Sequence, residues 1–445
     1  MGQEELFESL PEQSSPAGGG AMGAARLREP SRDQIELRAM DLDGLIGADD
    51  AARVMWGYAS RLDLSALESA IKSRDGVAGH PAIAPRLLLA LWLYATSQGV
   101  GSARALATLC ERDDGFRWLC GGVSVNHHTL SDFRVSQAAL LDALLIEHTA
   151  ALAAAGVIDF DVLGQDGIRV RASAGAGSFR RRPTLRKALK KARCLVERLK
   201  RETGDDPGAS TARIKAARQR AAADQVARIE DALAKHVELA AERARRKKRN
   251  AKQTAKQKPP RASTTDADAR VMKMPDGGFR PAYNLQIASV VEQQIVVGVA
   301  VETSGSDHGE MQPMIEQIKA RTGQTPRRYL VDGGFLKNSA IEWAAAPDNG
   351  AIEVYCPAMA TRHGTDPYAP HPKDGPGVAA WRRRMKSRIG KAIYKRRAIL
   401  ECVNARGRNW ILDRLTVRGP AKVRAVLLWF ALANNILQGH RLTTA

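Results

Sequence analysis

The sequence predicts an α/β protein: a mixed sheet as its core, an all-α region ahead of that sheet, and a basic helical insertion within it. Three observations lead there. Apolar residues recur at helical spacing from Ile35 to about Ala155, the period changes to two after Gly156, and from 175 to 263 the strand pattern gives way to cation-rich helical stretches. The expected organisation is a disordered tail over 1–34, a helical domain over 35–155, a sheet-containing domain over 156–174 plus 264–445, and the insertion over 175–263.

A chain of 445 residues has room for two or three domains, and 44% apolar content supports real cores. Five cysteines are scattered without a C-x-x-C pair, which argues against a disulfide framework or zinc ribbon and fits a reducing cytoplasm. The longest apolar runs, Leu87–Ala95 and Val426–Ala433, are too short to span a bilayer, and the acidic start M-G-Q-E-E-L-F-E does not read as a signal peptide. No membrane partner is expected.

Net charge is +20, and its distribution is the sharper fact. Between Phe179 and Ser263 there are 27 Lys plus Arg against 9 Asp plus Glu, a net of +18. An excess confined to one segment points to a polyanion partner. The alternative is a solubilising pair of charged helices.

Taken in order, residues 1–34 contain S-S-P-A-G-G-G-A and few large apolar side chains, the composition of a disordered segment. Pro85 followed by R-L-L-L-A-L-W-L-Y-A marks a helix start. Helical spacing continues through Ala103–Cys110 and Thr129–Leu145. A turn around Val125–His127 ahead of a polar-faced helix is compatible with a helix-turn-helix, with His127 and His128 as turn or DNA-facing residues rather than metal ligands.

In the strand that follows, Ile158, Phe160, Val162, Gly164, Asp166, Ile168 and Val170 share one face. Asp159, Asp161, Gln165, Arg169 and Arg171 take the other. A carboxylate on the apolar face is costly unless it is paired, hydrogen-bonded or bound to metal, so Asp166 is the acid of interest.

The insertion reads as two helices around the turn G-D-D-P-G-A-S, ending in the basic arm R-A-R-R-K-K-R-N-A-K-Q. Strands resume beyond it, with Asp276-Gly277 as a hairpin signal and Gln294–Val301 as the next strand. Asp307-x-x-Glu310 has the spacing of a capping box, and both acids are assigned to opening a helix that runs to about Arg321. In R-R-Y-L-V-D-G-G-F, Asp332 stands at the carboxyl end of a buried strand, where α/β sheets put their ligands. A helix N-cap is the competing role for Asp332. Ile352–Cys356 is the last expected strand, a long basic helix follows, and Val423–Leu437 closes the core.

On that basic helix Tyr394, Arg397, Glu401 and Arg408 are spaced by three, four and seven residues. At about 100° per residue they fall within an arc of roughly 60°. One face would carry a phenol, two guanidinium groups and a lone carboxylate, which suits a place where metal and phosphate meet. A solvated basic helix with one balancing acid would show the same spacing.

The run I-Y-K-R-R-A-I-L-E-C-V-N-A-R-G-R-N-W resembles the Tyr-Arg-Glu-Lys signature of bacterial DDE insertion-sequence transposases of the IS-four type. It matches in spacing throughout and departs only at Arg408, where the signature has Lys. The texts D-L-D-G-L-I, G-V-G-S-A-R-A-L-A and W-L-C-G-G-V-S-V-N-H-H-T-L-S-D-F-R resemble the N-terminal domain found ahead of such cores.

The resemblance implies a ribonuclease-H-like catalytic domain, with a DNA-binding role for the helical domain over 35–155. It implies Asp166, Asp332 and Glu401 as catalytic, metal-binding acids, and two Mg2+ ions, for which Mn2+ can substitute. Tyr394, Arg397 and Arg408 would be the DNA-binding residues. The implied activity is binding the terminal inverted repeats of the protein's own element, cleavage at its ends and joining to target DNA. The partners would be double-stranded DNA and further copies of the chain, as a homodimer or higher, at the bacterial nucleoid. A ribonuclease-H-like nuclease without strand transfer and a non-catalytic DNA-binding protein derived from a transposase remain the alternatives.

Overall fold

A computed structural model describes residues 41–74, 76, 80–204, 209–249, 259–358 and 366–444. The expected disordered tail, residues 205–208 of the turn G-D-D-P-G-A-S and the end of the basic arm lie outside the described residues, while Arg243–Arg249 of that arm continue the second helix of the insertion.

The organising element is β1 (Val162–Arg171), a central strand with different partners on its two edges. Along one edge it runs antiparallel to β5 (Phe279–Val290), with Asp166 opposite Ile287. Along the other it runs parallel to β7 (Arg328–Leu330), which is itself parallel to β8 (Glu353–Tyr355). The far edge of β5 is shared by β4 (Arg270–Lys273) and β6 (Ile295–Glu302), both antiparallel to it. The fold is mixed α/β. Asp276 and Gly277 form the expected β4–β5 turn, where Asp276 Oδ1 accepts from the Gly278 N–H at 3.0 Å.

Both faces of the sheet are covered, and this corrects the half-exposed strand read from alternation. Residues Val162–Asp166 are all buried, and Gln165, assigned to the polar face, has no exposed surface. One face, including Ile168, Val170 and Leu285, packs on the helices between Ala51 and Ala154 and on the last helix, Pro420–Thr444. The other, including Leu163, Leu330 and Val354, packs on the helices Met311–Thr322, Asn338–Ala345 and Pro376–Lys386.

The last helix ties the first face together. Asn435 both accepts from the Val296 N–H and donates to its carbonyl, each at 2.7 Å, while Trp429 Nε1 donates to the Arg134 carbonyl at 2.9 Å. The helix expected over Thr129–Leu145 is two, His127–Ser136 and Ala138–Ala154, set 63° apart at Gln137. No single helix among the described residues is long and apolar enough to cross a membrane.

The insertion is a helical hairpin, Arg182–Gly204 and Ala209–Arg249, with its own small apolar seam of Leu185, Ala192, Ile229 and Ala232. It is rooted in a two-stranded ribbon, β2 (Phe179–Arg180) against β3 (Ala262–Ser263).

Candidate functional site

Asp166 sits mid-strand, 8% exposed, beside two glycines that let other elements come close. A Cβ on Gly164 would stand 2.5 Å from Leu400 Cδ1, so the helix Leu400–Trp410 approaches β1 only because residue 164 has no side chain. A Cβ on Gly167 would collide with Asp307 Oδ1 and lie 2.7 Å from Gln286 Nε2.

The Asp166 carboxylate is well partnered. Oδ1 accepts from the Gly167 N–H at 3.0 Å, Oδ2 accepts from Asn404 Nδ2 at 2.7 Å, and Arg397 Nη2 lies 3.8 Å from Oδ2. Burial pushes the carboxyl up to about 6; Arg397 opposes that rise, while Glu401 and Asp332 add to it. Asp332, from the loop after β7, and Glu401, from a late helix, therefore both bear on Asp166 of β1.

Asp332 lies two residues past β7 in extended backbone, and its Oδ1 accepts from the Gly334 N–H at 2.8 Å, capping a short turn over Gly333–Phe335. It thus does the capping job named as its alternative, while its charge also opposes ionisation of Asp166. Glu401 opens the helix Leu400–Trp410, and Arg397 Nη1 donates to its Oε1 at 3.2 Å. Arg397 therefore bridges two of the acids. Tyr394 shares this neighbourhood: burial raises its phenol, Arg397 opposes the rise, and Cys356, Asp332 and Asp166 add to it. Arg408 is exposed in the last turn of the helix and forms no ion pair among the described residues, Asp413 included.

The long basic helix expected here is broken. Pro376–Lys386 ends at Ser387, whose extended backbone starts Arg388–Lys395 with Oγ accepting from the Gly390 N–H at 2.9 Å. A 3-10 turn over Arg396–Ile399 then leads into Leu400–Trp410. Tyr394, Arg397 and Glu401 so belong to three consecutive segments, yet the backbone stays right-handed from Lys395 to Leu400 and they remain close.

Two functional neighbours escaped the sequence reading. Asn404, three residues after Glu401, is 2% exposed and holds Asp166; the i, i+3 spacing from Glu401 was its signal. Asp307 was assigned to a capping box, but the helix starts at Met311 with no side-chain cap from Glu310. Asp307 Oδ1 instead accepts from Asn284 Nδ2 at 2.7 Å and Gln286 Nε2 at 2.6 Å. The same network continues through Gln165, which donates to Gln286 at 2.8 Å and accepts from Tyr329 at 2.9 Å. By period these β5 amides alternate with Tyr283, Leu285 and Ile287, and nothing local marks their partner.

Two carboxylates beside a buried third that calls for a compensating cation are the donor type a hard divalent ion takes. Among the described residues no group of three His, Cys, Asp or Glu side chains is arranged to hold one ion, and Arg397 is the cation lying between Asp166 and Glu401.

A family model described as "Transposase domain (DUF772)" matches residues 49–136. Residues 49–136 are similar to a transposase domain. The match covers the helices from Ala51 to Ser136 on the first face of the sheet, well under half of the chain, and supports a transposase family and a transposition enzyme. No curated protein and no solved structure matches the chain.

Proposed function

We propose that the chain is a DDE transposase of the IS-four type, with a ribonuclease-H-like core, that cuts DNA at the ends of its own element and joins them to target DNA. The observation that carries this is geometric: Arg397 pairs with both Asp166 and Glu401, Asn404 of the same late helix holds Asp166, and Asp332 follows the strand parallel to β1. The strand order, with antiparallel partners on one side of β1 and parallel ones on the other, supports the ribonuclease-H-like reading. The transposase-domain match supports the reaction class.

In this reading Asp166, Asp332 and Glu401 would hold two Mg2+ ions, or Mn2+ in their place, once Arg397 gives up its bridge between Asp166 and Glu401. Bound there, the ions would stabilise charge on the entering and leaving oxygens of the phosphodiester. Asn404 fixes the carboxylate of Asp166 toward the site. Arg397 neutralises Asp166 and Glu401 in the free protein and turns its remaining donors to a substrate phosphate. Tyr394, kept protonated by burial, donates a neutral hydrogen bond to the DNA backbone. Arg408 grips a phosphate flanking the cut. The chain would work as a homodimer or higher on double-stranded DNA, in the bacterial cytoplasm at the nucleoid.

The test is strand cleavage of duplexes carrying the sequences that flank the gene. Magnesium-dependent nicking at an inverted repeat is the expected result. Binding to the repeats without any nicking would leave the non-catalytic alternative, and nicking without end joining the simple nuclease.

A further inference from the structure

At the root of the insertion the two helices, the β2–β3 ribbon and the loop before the last helix enclose a hollow of about 360 Å³. Arg180, Arg228 and Arg418 reach it from three different elements, joined by the hydroxyls of Thr184 and Thr265 and the amide of Gln225. No carboxylate lines it among the described residues, and none of the three arginines has an ion pair there.

Acids do lie next door. Arg228 and Arg418 also border a second hollow containing Asp231, Glu238, Asp266 and Asp268. There Lys235 already pairs with Glu238 and with Asp268, each at 2.9 Å, and Asp266 accepts from Tyr283 at 2.7 Å. Three of these four acids thus have partners of their own; Arg228 and Arg418 stand between the two hollows, and Arg180 lines only the carboxylate-free one.

The walls are fixed. Ser178 and Ser263 hydroxyls meet at 2.7 Å across the ribbon, and Ser263 Oγ accepts from the backbone N–H of Thr265 and of Asp266, each at 3.1 Å. Three like charges held by rigid elements repel one another unless an anion joins them. Planar guanidinium forks together with hydroxyl and amide donors match the oxygens of a phosphate group.

We infer that this hollow is a phosphate-binding site, and that its occupant is a backbone phosphate of duplex DNA clamped between insertion and core. The inference rests on the proposed function only in taking the polyanion to be DNA. It needs no cleavage.

The test uses the full chain in EDTA, where no cut occurs. Arg180→Gln, Arg228→Gln and Arg418→Gln are combined and compared with Lys187→Gln, Lys190→Gln and Lys191→Gln, which remove equal charge from exposed positions of the same hairpin. Duplex affinity is titrated against salt, and inorganic phosphate is tested for raising the melting temperature above an equal ionic strength of chloride.

The arginine variant should lose about tenfold more duplex affinity than the lysine variant and flatten the salt dependence by about two to three released ions. It should also lose the phosphate-induced rise in melting temperature. Loss of the phosphate effect alone would assign the site to free phosphate. If the unaltered chain does not bind duplex, the DNA reading fails and the phosphate arm still decides the site. Arginine and lysine variants that match in both measurements overturn it. Arg418→Lys, which keeps the charge and loses the fork, gives the same readout with least risk to folding and should fall between the two.

Discussion

Asn404 Nδ2 donates a 2.7 Å hydrogen bond to Oδ2 of Asp166, joining the helix Leu400–Trp410 to the central strand through two buried side chains. The bond orients an acid whose ionisation burial opposes. Asn404→Ala should leave duplex affinity nearly unchanged and slow single-turnover nicking by about tenfold or more, with a stability loss of about 1–3 kcal/mol. Weakened binding at an unchanged cleavage rate would show Asn404 to be a DNA contact.

Gly164 sets how closely that helix can approach. With Leu400 Cδ1 at 2.5 Å and the Leu330 carbonyl at 3.2 Å from a would-be Cβ, Gly164→Ala should destabilise the fold by about 1–3 kcal/mol through overpacking. Gly175, with open space around its Cβ position, provides the control: Gly175→Ala should be nearly silent in urea denaturation.

The raised Asp166 carboxyl makes stability depend on pH in a definite sense. Its ordinary value of 3.8 rises to about 6 in the fold, so between those values the unfolded chain has lost the proton while the native state keeps it. The native state is therefore penalised progressively as pH rises from about 4 to about 6, reaching about 2–3 kcal/mol above that window and nothing below it. In EDTA, Asp166→Asn should gain stability relative to the unaltered protein near pH 8 and little near pH 4. An equal difference at both would contradict the shift.

Arg408 departs from the signature and is exposed without an ion pair among the described residues. Arg408→Lys should keep most cleavage, whereas Arg408→Ala should weaken binding of cleaved ends by about 1–3 kcal/mol. Affinity equal to the unaltered protein at low and moderate salt would remove Arg408 from the site.

Much of this was legible in the sequence because period and position carry it. Asp166 is out of place on an apolar face, Asp332 ends a strand, and Glu401 stands alone among cations. What stayed hidden depends on which elements meet. Gln165 reads as a surface residue by alternation, but parallel pairing with β7 and cover on both faces bury it. Asp307 has the spacing of a cap, yet two amides on β5 give its carboxylate better partners than the helix N-terminus does. Gly407 lies inside the helix Leu400–Trp410, where it packs against Phe430, with Cζ 3.3 Å from a would-be Cβ. None of these contacts leaves a local trace.

The central claim is that Asp166, Asp332 and Glu401 act as one site. Its most direct test is single-turnover nicking of end-bearing duplex by Asp166→Asn, Asp332→Asn and Glu401→Gln, with Asp161→Asn as control because Asp161 pairs with Arg328 at 2.9 Å away from the trio. Each of the three should lose about a thousandfold or more in rate while duplex binding holds and the melting temperature does not fall, and the control should cleave normally. A wild-type rate with magnesium in any one of the three would contradict the assignment.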